Sequence, residues 1–245
     1  MRTDLPIVLA LAAKANAFFR GSNVRLEVLA GHPAFARVHD LTFVRQTGLG
    51  GEMVADASLP WFRRLKNEGV NRIRPTLAAM KMDRTADGAW GLLSEGDRGL
   101  ELWTPGVGRR FEGHDDLQPL RLTLTSGRFD RWSMKPPMSV DESSENLQAA
   151  LSAAKLHLEQ EGQSIAANAV GKFLSLHESG STEVSGTLES LVADLDKCAV
   201  PLFASAARCL ALLETTGWLT AKDDSARVFA EPLWSATRLA LETTV

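Results

Sequence analysis

The sequence predicts an α+β fold in two parts, a mostly antiparallel sheet with packed helices over residues 1–135 and an all-α part over residues 136–245. Up to residue 135, short extended runs are broken by turn residues. Beyond that point nearly every segment has helical spacing, and several segments end at Gly. The stretch KPPMSVDESSEN, residues 135–146, marks the boundary because its prolines and polar residues end the strand pattern.

The first predicted element is a helix over MRTDLPIVLALAAKANAFF, residues 1–19. Five of its apolar residues share one sector of a helical wheel, and Lys14 points the opposite way. The stripe is imperfect because Asn16 falls inside it. A helix that is apolar on most sides must be largely buried.

A secretion signal is the alternative interpretation of the same stretch. Arg2 precedes the apolar run, and residues 15–17 have the small-x-small pattern of a cleavage site. Asp4 and Lys14 are unusual in a signal peptide, so the sequence favours a folded helix in a cytoplasmic protein. Export is the alternative if residues 1–17 are a signal peptide.

The rest of the first part consists of extended runs and one helix. SLPWFRRLKNEG, residues 58–69, has a Ser cap, an early Pro and a final Gly, which is typical of a short helix. GLGG, residues 48–51, is interpreted as a loop. Short links favour antiparallel neighbours. Strands are predicted over residues 24–30, 41–46, 71–83, 89–95, 99–105 and 120–134.

The second part contains a candidate hairpin near residues 217–231. Asp223–Ser225 separates two short apolar runs there, after a pair of helices. The order helix, helix, hairpin over residues 184–232 resembles a winged helix, which implies a helix placed in a DNA groove. This part is acidic, however, and only Lys197 and Arg208 lie near the groove helix, so contact with a protein is the expectation.

Charge separates the two parts. Residues 1–135 contain 20 Lys+Arg and 15 Asp+Glu, whereas residues 136–245 contain 7 and 15. A nucleic-acid surface needs positive groups for phosphates and flat rings for bases, and the first part has both. The candidate binding residues are Arg63, Arg64, Arg72, Arg74, Arg109, Arg110, Arg128 and Arg131, with Trp103 and Trp132.

The predicted function is that of a non-catalytic binding or assembly component. Its basic face would engage nucleic acid or an acidic protein, and its helical part would contact a protein partner. A solvated sheet face, with core tryptophans and arginines paired to acids such as Glu101 and Asp130, is the alternative for the basic residues. A third hypothesis is a structural component in which the two oppositely charged parts attract each other.

A catalytic or metal site is the alternative function. His114, Asp115 and Asp116 combine an imidazole with two carboxylates, as acid/base or metal-dependent hydrolysis requires. His39 and Asp40 could join them only if the fold brought them close. Ser143 and Ser144 have no activating histidine nearby in sequence, although such groups can meet in space.

Several classes of protein are not indicated. The P-loop, the dinucleotide-binding glycine motif, the nucleophile elbow and the zinc-protease motif are all missing, so no cofactor or metal is predicted. Cys198 and Cys209 are interpreted as two thiols in a reducing compartment. No apolar run approaches the ~18 residues of a membrane span, so no membrane partner is expected.

Overall fold

The computed structural model describes residues 4–22, 31–47, 50–78, 89–97, 99–109, 120–128, 138–220 and 224–245. The fold is α+β, as the sequence predicts. The chain divides into two compact units, a sheet unit of Met1–Lys135 with Val245 and a helical unit of Pro136–Thr244.

The sheet unit contains two α-helices and six strands among its described residues. A short 3₁₀ turn, Pro33–Phe35, precedes the first strand. The elements are α1 Asp4–Phe19, β1 Val38–Thr47, β2 Gly50–Ala55, α2 Ser58–Asn67, β3 Arg72–Ala78, β4 Ala89–Gly96, β5 Gly99–Arg109 and β6 Leu120–Arg128.

The strands form one sheet in the order β2-β1-β6-β5-β4-β3. Every neighbouring pair is antiparallel except β1 and β6, which run parallel. The sheet is therefore mixed, with the predicted antiparallel majority. The strand β2 begins at Gly50 and Gly51, where the sequence predicts a loop. The prediction was wrong there because glycine has no side chain whose pattern could indicate a strand. The strand predicted over residues 24–30 lies outside the described residues.

An aromatic cluster forms the core between α2 and the sheet. Trp61 of α2 stacks on Phe43 of β1, with ring centroids 4.2 Å apart. It meets Trp103 of β5 edge-on, at 5.2 Å. All three side chains are 0% exposed. These tryptophans therefore contribute to packing, since aromatic pairs in these arrangements stabilise a core beyond the area they bury.

Helix α1 is buried on all sides, as its apolar composition requires. Every residue from Leu5 to Ala17 is buried, including Asn16. The Asn16 amide donates to the carbonyl of Ile73 at 2.7 Å and accepts from the amide of Ile73 at 2.8 Å. Among the described strands β3 is the outermost, and Asn16 supplies hydrogen bonds to it of the kind that a neighbouring strand would make.

The helical unit contains four α-helices and two 3₁₀ segments among its described residues. A capping box starts its first helix, in which Ser139 Oγ accepts from the amide of Glu142 at 3.1 Å and Glu142 accepts from the amide of Ser139 at 2.8 Å. The α-helices are α3 Val140–Gln160, α4 Ser164–Glu178, α5 Val200–Thr216 and α6 Asp224–Thr244, and the 3₁₀ segments are Gly186–Asp194 and Trp218–Thr220.

The hairpin predicted near residues 217–231 was wrong over its described residues, since Trp218–Thr220 is a 3₁₀ segment and not a strand. Residues from Asp224 onward form the single helix α6, which continues through Pro232. Phe229, Leu233 and Ala240 are buried at helical spacing, and this packing offsets the cost of an internal proline. The winged-helix resemblance is therefore not confirmed.

Candidate functional site

The predicted basic residues of the sheet unit lie on both sides of the sheet. Cross-strand pairing aligns Pro75 of β3 with Leu92 of β4 and Trp103 of β5. Because Trp103 contacts Trp61 of α2, the side chains of this row lie on the sheet face that α2 covers. Arg72 and Arg74 lie three residues and one residue before Pro75 on β3. Because successive side chains of a strand alternate between its two faces, both arginines lie on the opposite face of the sheet. Arg72 and Arg74 share one face because they lie two residues apart on β3. Arg63 and Arg64 are exposed on α2, across the sheet from them.

Arg74 is engaged within the sheet. Its Nε donates to Glu95 Oε1 at 2.9 Å, and a second guanidinium nitrogen contacts the same oxygen. The Arg74 residue is only 8% exposed. Its half-buried neighbour Arg72 has a lowered pKa, because burial disfavours its charge and Arg74 repels it. The Arg74 guanidinium is therefore not presented to solvent as a phosphate site requires, whereas Arg72 is partly exposed.

A charge network centred on Arg45, a residue that the sequence did not single out, lies on the α2 side of the sheet and includes Glu101, an acid expected to pair with an arginine. Arg45 of β1 donates through Nε to Glu101 at 2.8 Å and through a terminal nitrogen to Glu68 at 2.7 Å. Arg64 donates to the same Glu68 at 2.7 Å, and Ser126 donates to Glu101 at 2.6 Å. The one sequence signal for this network was the position of Arg45. It follows Phe43 by two residues and so shares the strand face that packs against the core.

The network shifts the pKa values of Glu68 and Arg45. The hydrogen bond from Arg45 is the largest cause that lowers the pKa of Glu68 from its usual 4.5 to about 2. The two carboxylates raise the pKa of Arg45 above its usual value. The positive charges of Arg45 and Arg64 are therefore balanced by neighbouring carboxylates.

Trp103 cannot serve as a stacking platform for a nucleobase. It is enclosed by Phe43 and Trp61, and its indole nitrogen donates to Ser94 Oγ at 3.3 Å. The guanidinium carbon of Arg45 lies 5.9 Å from its ring centroid. These contacts agree with the alternative interpretation of the tryptophans as core residues.

The other predicted site residues lie wholly or partly outside the described residues. For Arg109 and Arg128 the structure describes the backbone at the ends of β5 and β6. Arg110, Arg131 and Trp132 are outside it, as are the candidate catalytic residues His114, Asp115 and Asp116. Within the described ranges, no group of three His, Cys, Asp or Glu side chains could hold a metal ion.

The fold brings Ser144 of α3 against His177 of α4. Ser144 Oγ lies 3.2 Å from His177 Nε2, the distance of a nucleophile and its base. The same Nε2 lies 3.2 Å from the carbonyl oxygen of Ser144, which can only accept. A hydrogen bond to that carbonyl requires the proton on Nε2, and in that tautomer the contact connects two helices rather than activating a serine.

One end of the helical unit leaves large apolar side chains exposed. Leu156, Ile165 and Val228 are 56%, 87% and 65% exposed, and in the described part of the chain Met53 is the other large apolar residue in this state. They belong to the end of α3 and the starts of α4 and α6. Ile165 also lines a groove with Trp218, and the residues of this groove form a surface called here the apolar end.

The groove lies between α4 and α5. Trp218 and Ile165 line it with Leu212 and Ala169, and its volume is about 520 Å³. Trp218 also meets Phe229 of α6, with ring centroids 4.9 Å apart. Sequence reasoning missed the groove because its residues come from separate segments that only the fold brings together.

Comparisons of the chain with protein-family models, curated proteins and solved structures found no match. Each helix within the described ranges is too short or too polar to cross a bilayer.

Proposed function

We propose that the chain is a non-catalytic binding or assembly component whose acidic helical unit contacts a protein partner. The observation that carries the proposal is the apolar end, where the exposed Ile165 lines a groove with Trp218, Leu212 and Ala169. Single exposed apolar residues are ordinary on protein surfaces, whereas a cluster of them marks an interaction surface.

Covering this surface supplies a driving force for association. Burial of one Leu, Ile or Val side chain contributes roughly 1.5–3 kcal/mol relative to leaving it exposed. Interface energy concentrates in a few such central residues. Ile165, the most exposed of them and part of the groove wall, is the residue on which we expect binding to depend most.

Nucleic acid has less support as the partner. Binding to nucleic acid is driven by the release of counterions from phosphates, and this requires several positive side chains on one accessible surface. Arg74 and Arg45 contact carboxylates, and Arg63 lies across the sheet from Arg72. A protein partner therefore accounts better for the described surfaces.

Site-specific cross-linking tests the proposal. A benzophenone amino acid placed at residue 165 of the full chain, expressed in its native host, should give an adduct with a defined protein. The same label at Met53 is the matched control, since Met53 is also apolar and 66% exposed. The identified protein, once purified, should bind the unlabelled chain and lose affinity for Ile165→Glu. Equal adducts at both positions, or none at residue 165, would refute the proposal.

A further inference from the structure

Arg72 of β3 is a half-buried arginine to which no carboxylate is bonded in the described part of the chain. Within the described ranges its side chain forms no hydrogen bond and no ion pair. The other arginines of the sheet unit discussed above, Arg45, Arg64 and Arg74, each contact a carboxylate. Because partial burial of an uncompensated charge costs free energy, the position of Arg72 needs an explanation.

Glu95 of β4 lies directly across the sheet from Arg72, but its carboxylate is bonded to Arg74. The register pairs Arg72 with Glu95 and Arg74 with Leu93, so Arg74 reaches Glu95 along the diagonal. Arg74 Nε donates to Glu95 Oε1 at 2.9 Å, and a second nitrogen of Arg74 contacts the same oxygen. Two guanidinium groups therefore share one carboxylate, which leaves one positive charge of this group uncompensated.

The surroundings of Arg72 disfavour its positive charge. Burial is the largest cause that lowers the pKa of Arg72, repulsion by Arg74 is the second, and the attraction of Glu95 offsets them only in part. The guanidinium remains charged near pH 7, because the ordinary pKa of arginine is far above that value. A cation whose charge is disfavoured in this way is stabilised when an anion arrives beside it.

We infer that Arg72 binds a carboxylate on the sheet face opposite α2. The parallel N–H groups of a guanidinium match the two oxygens of a carboxylate. One negative charge balances the excess positive charge, whereas a phosphate dianion would be repelled more strongly by Glu95. Arg72 is partly exposed at the first residue of β3, the outermost described strand, so a carboxylate can reach it. The inference concerns the sheet unit and does not depend on the function proposed for the helical unit.

Nuclear magnetic resonance of the full chain with isotope-labelled arginine tests the inference. The probes are sodium acetate, the blocked peptide acetyl-Gly-Glu-Gly-amide, its Gln counterpart and inorganic phosphate, all at an ionic strength matched with sodium chloride. We expect acetate and the Glu peptide to shift the Nε–H signal of Arg72 saturably, and the Gln peptide and chloride to leave it in place. The signal is assigned by its loss in Arg72→Met. If the Glu peptide binds about tenfold more tightly than acetate, the carboxylate comes from an acidic polypeptide; similar affinities indicate a small carboxylate ligand.

Urea denaturation supplies a second measurement. In chloride buffer Arg72→Met should unfold at a higher urea concentration than the original chain, because the uncompensated charge is removed. Saturating acetate should raise the midpoint of the original chain and leave that of Arg72→Met unchanged. Arg63→Met is the matched control, since Arg63 is exposed on the other side of the sheet, and both of its midpoints should follow the original chain. The inference is overturned by a lower midpoint of Arg72→Met in chloride, by the absence of a saturable shift with acetate, by an equal shift of the Arg63 signal, or by tighter binding of phosphate than of acetate.

Discussion

Arg45, Arg64 and Arg74 of the sheet unit each contact a carboxylate, whereas Leu156, Ile165 and Val228 of the helical unit stand exposed. The sheet unit is the positive part of the sequence, yet much of its described charge is compensated internally. The helical unit is acidic, and its most distinctive exposed feature is apolar. Net charge therefore indicates which part of a chain attracts counter-charges, but the pairing of individual side chains decides which groups a partner can reach.

Asn16→Ala is expected to have the largest effect on stability, and it tests whether the sheet unit depends on specific internal polar pairs. The change leaves the buried amide and carbonyl of Ile73 without the Asn16 partner. We expect a loss of about 2–4 kcal/mol in the free energy of unfolding, measured by urea denaturation. The Ile73 amide should also exchange its hydrogen faster.

Asn67→Ala is the matched control, because Asn67 is exposed at the end of α2. It should change the free energy of unfolding by no more than about 0.5 kcal/mol. Equal effects of the two substitutions would show that Asn16 does not protect the sheet edge.

Arg45→Met tests the charge network and is expected to cost about 1–3 kcal/mol near pH 7, since charge-assisted hydrogen bonds are lost. The pKa of Glu68 is about 2 in the folded protein against a usual 4.5. A lowered pKa stabilises the fold fully above pH 4.5, and this contribution is lost as the pH falls towards 2. The variant should lose less stability over that range, because only Arg64 still pairs with Glu68.

Arg121→Met is the control for this prediction. Its partner Asp40 lies 2.9 Å away, but the Arg121 side chain is mostly exposed, so the expected cost is at most about 1 kcal/mol. An Arg45→Met protein with the pH dependence of the original chain would contradict the assigned cause of the Glu68 shift.

Local patterns in the sequence predict much of the sheet unit. Strand alternation places Arg72 and Arg74 together, and the cap and stop residues predict α2. The face covered by α2, and the pairing of Arg45 with Glu68 and Glu101, depend on contacts between distant residues. A single sequence identifies neither, because the spacing of Arg45 from Phe43 shows only that the two residues share a strand face.

In the helical unit, local sequence patterns predict the wrong structure. Asp223–Ser225 and Pro232 are typical of a turn and a helix boundary, yet both Asp224 and Pro232 lie in α6. The burial of Phe229 and Leu233 outweighs these local preferences. The apolar end is equally non-local, because Ile165 comes from α4 and Leu212 from α5.

Arg63→Glu is expected to have the smallest effect, and it addresses the nucleic-acid hypothesis directly. Arg63 is exposed on α2, so the free energy of unfolding should change by less than about 0.5 kcal/mol. Retention of a mixed nucleic-acid pool on the immobilised chain should also stay unchanged, because Arg63 lies across the sheet from Arg72 and Arg74. Arg72→Glu is the companion variant for the other face. If both variants reduced a retention that falls steeply with added salt, positive groups from the two faces would be acting together and the sheet unit would regain nucleic acid as its partner.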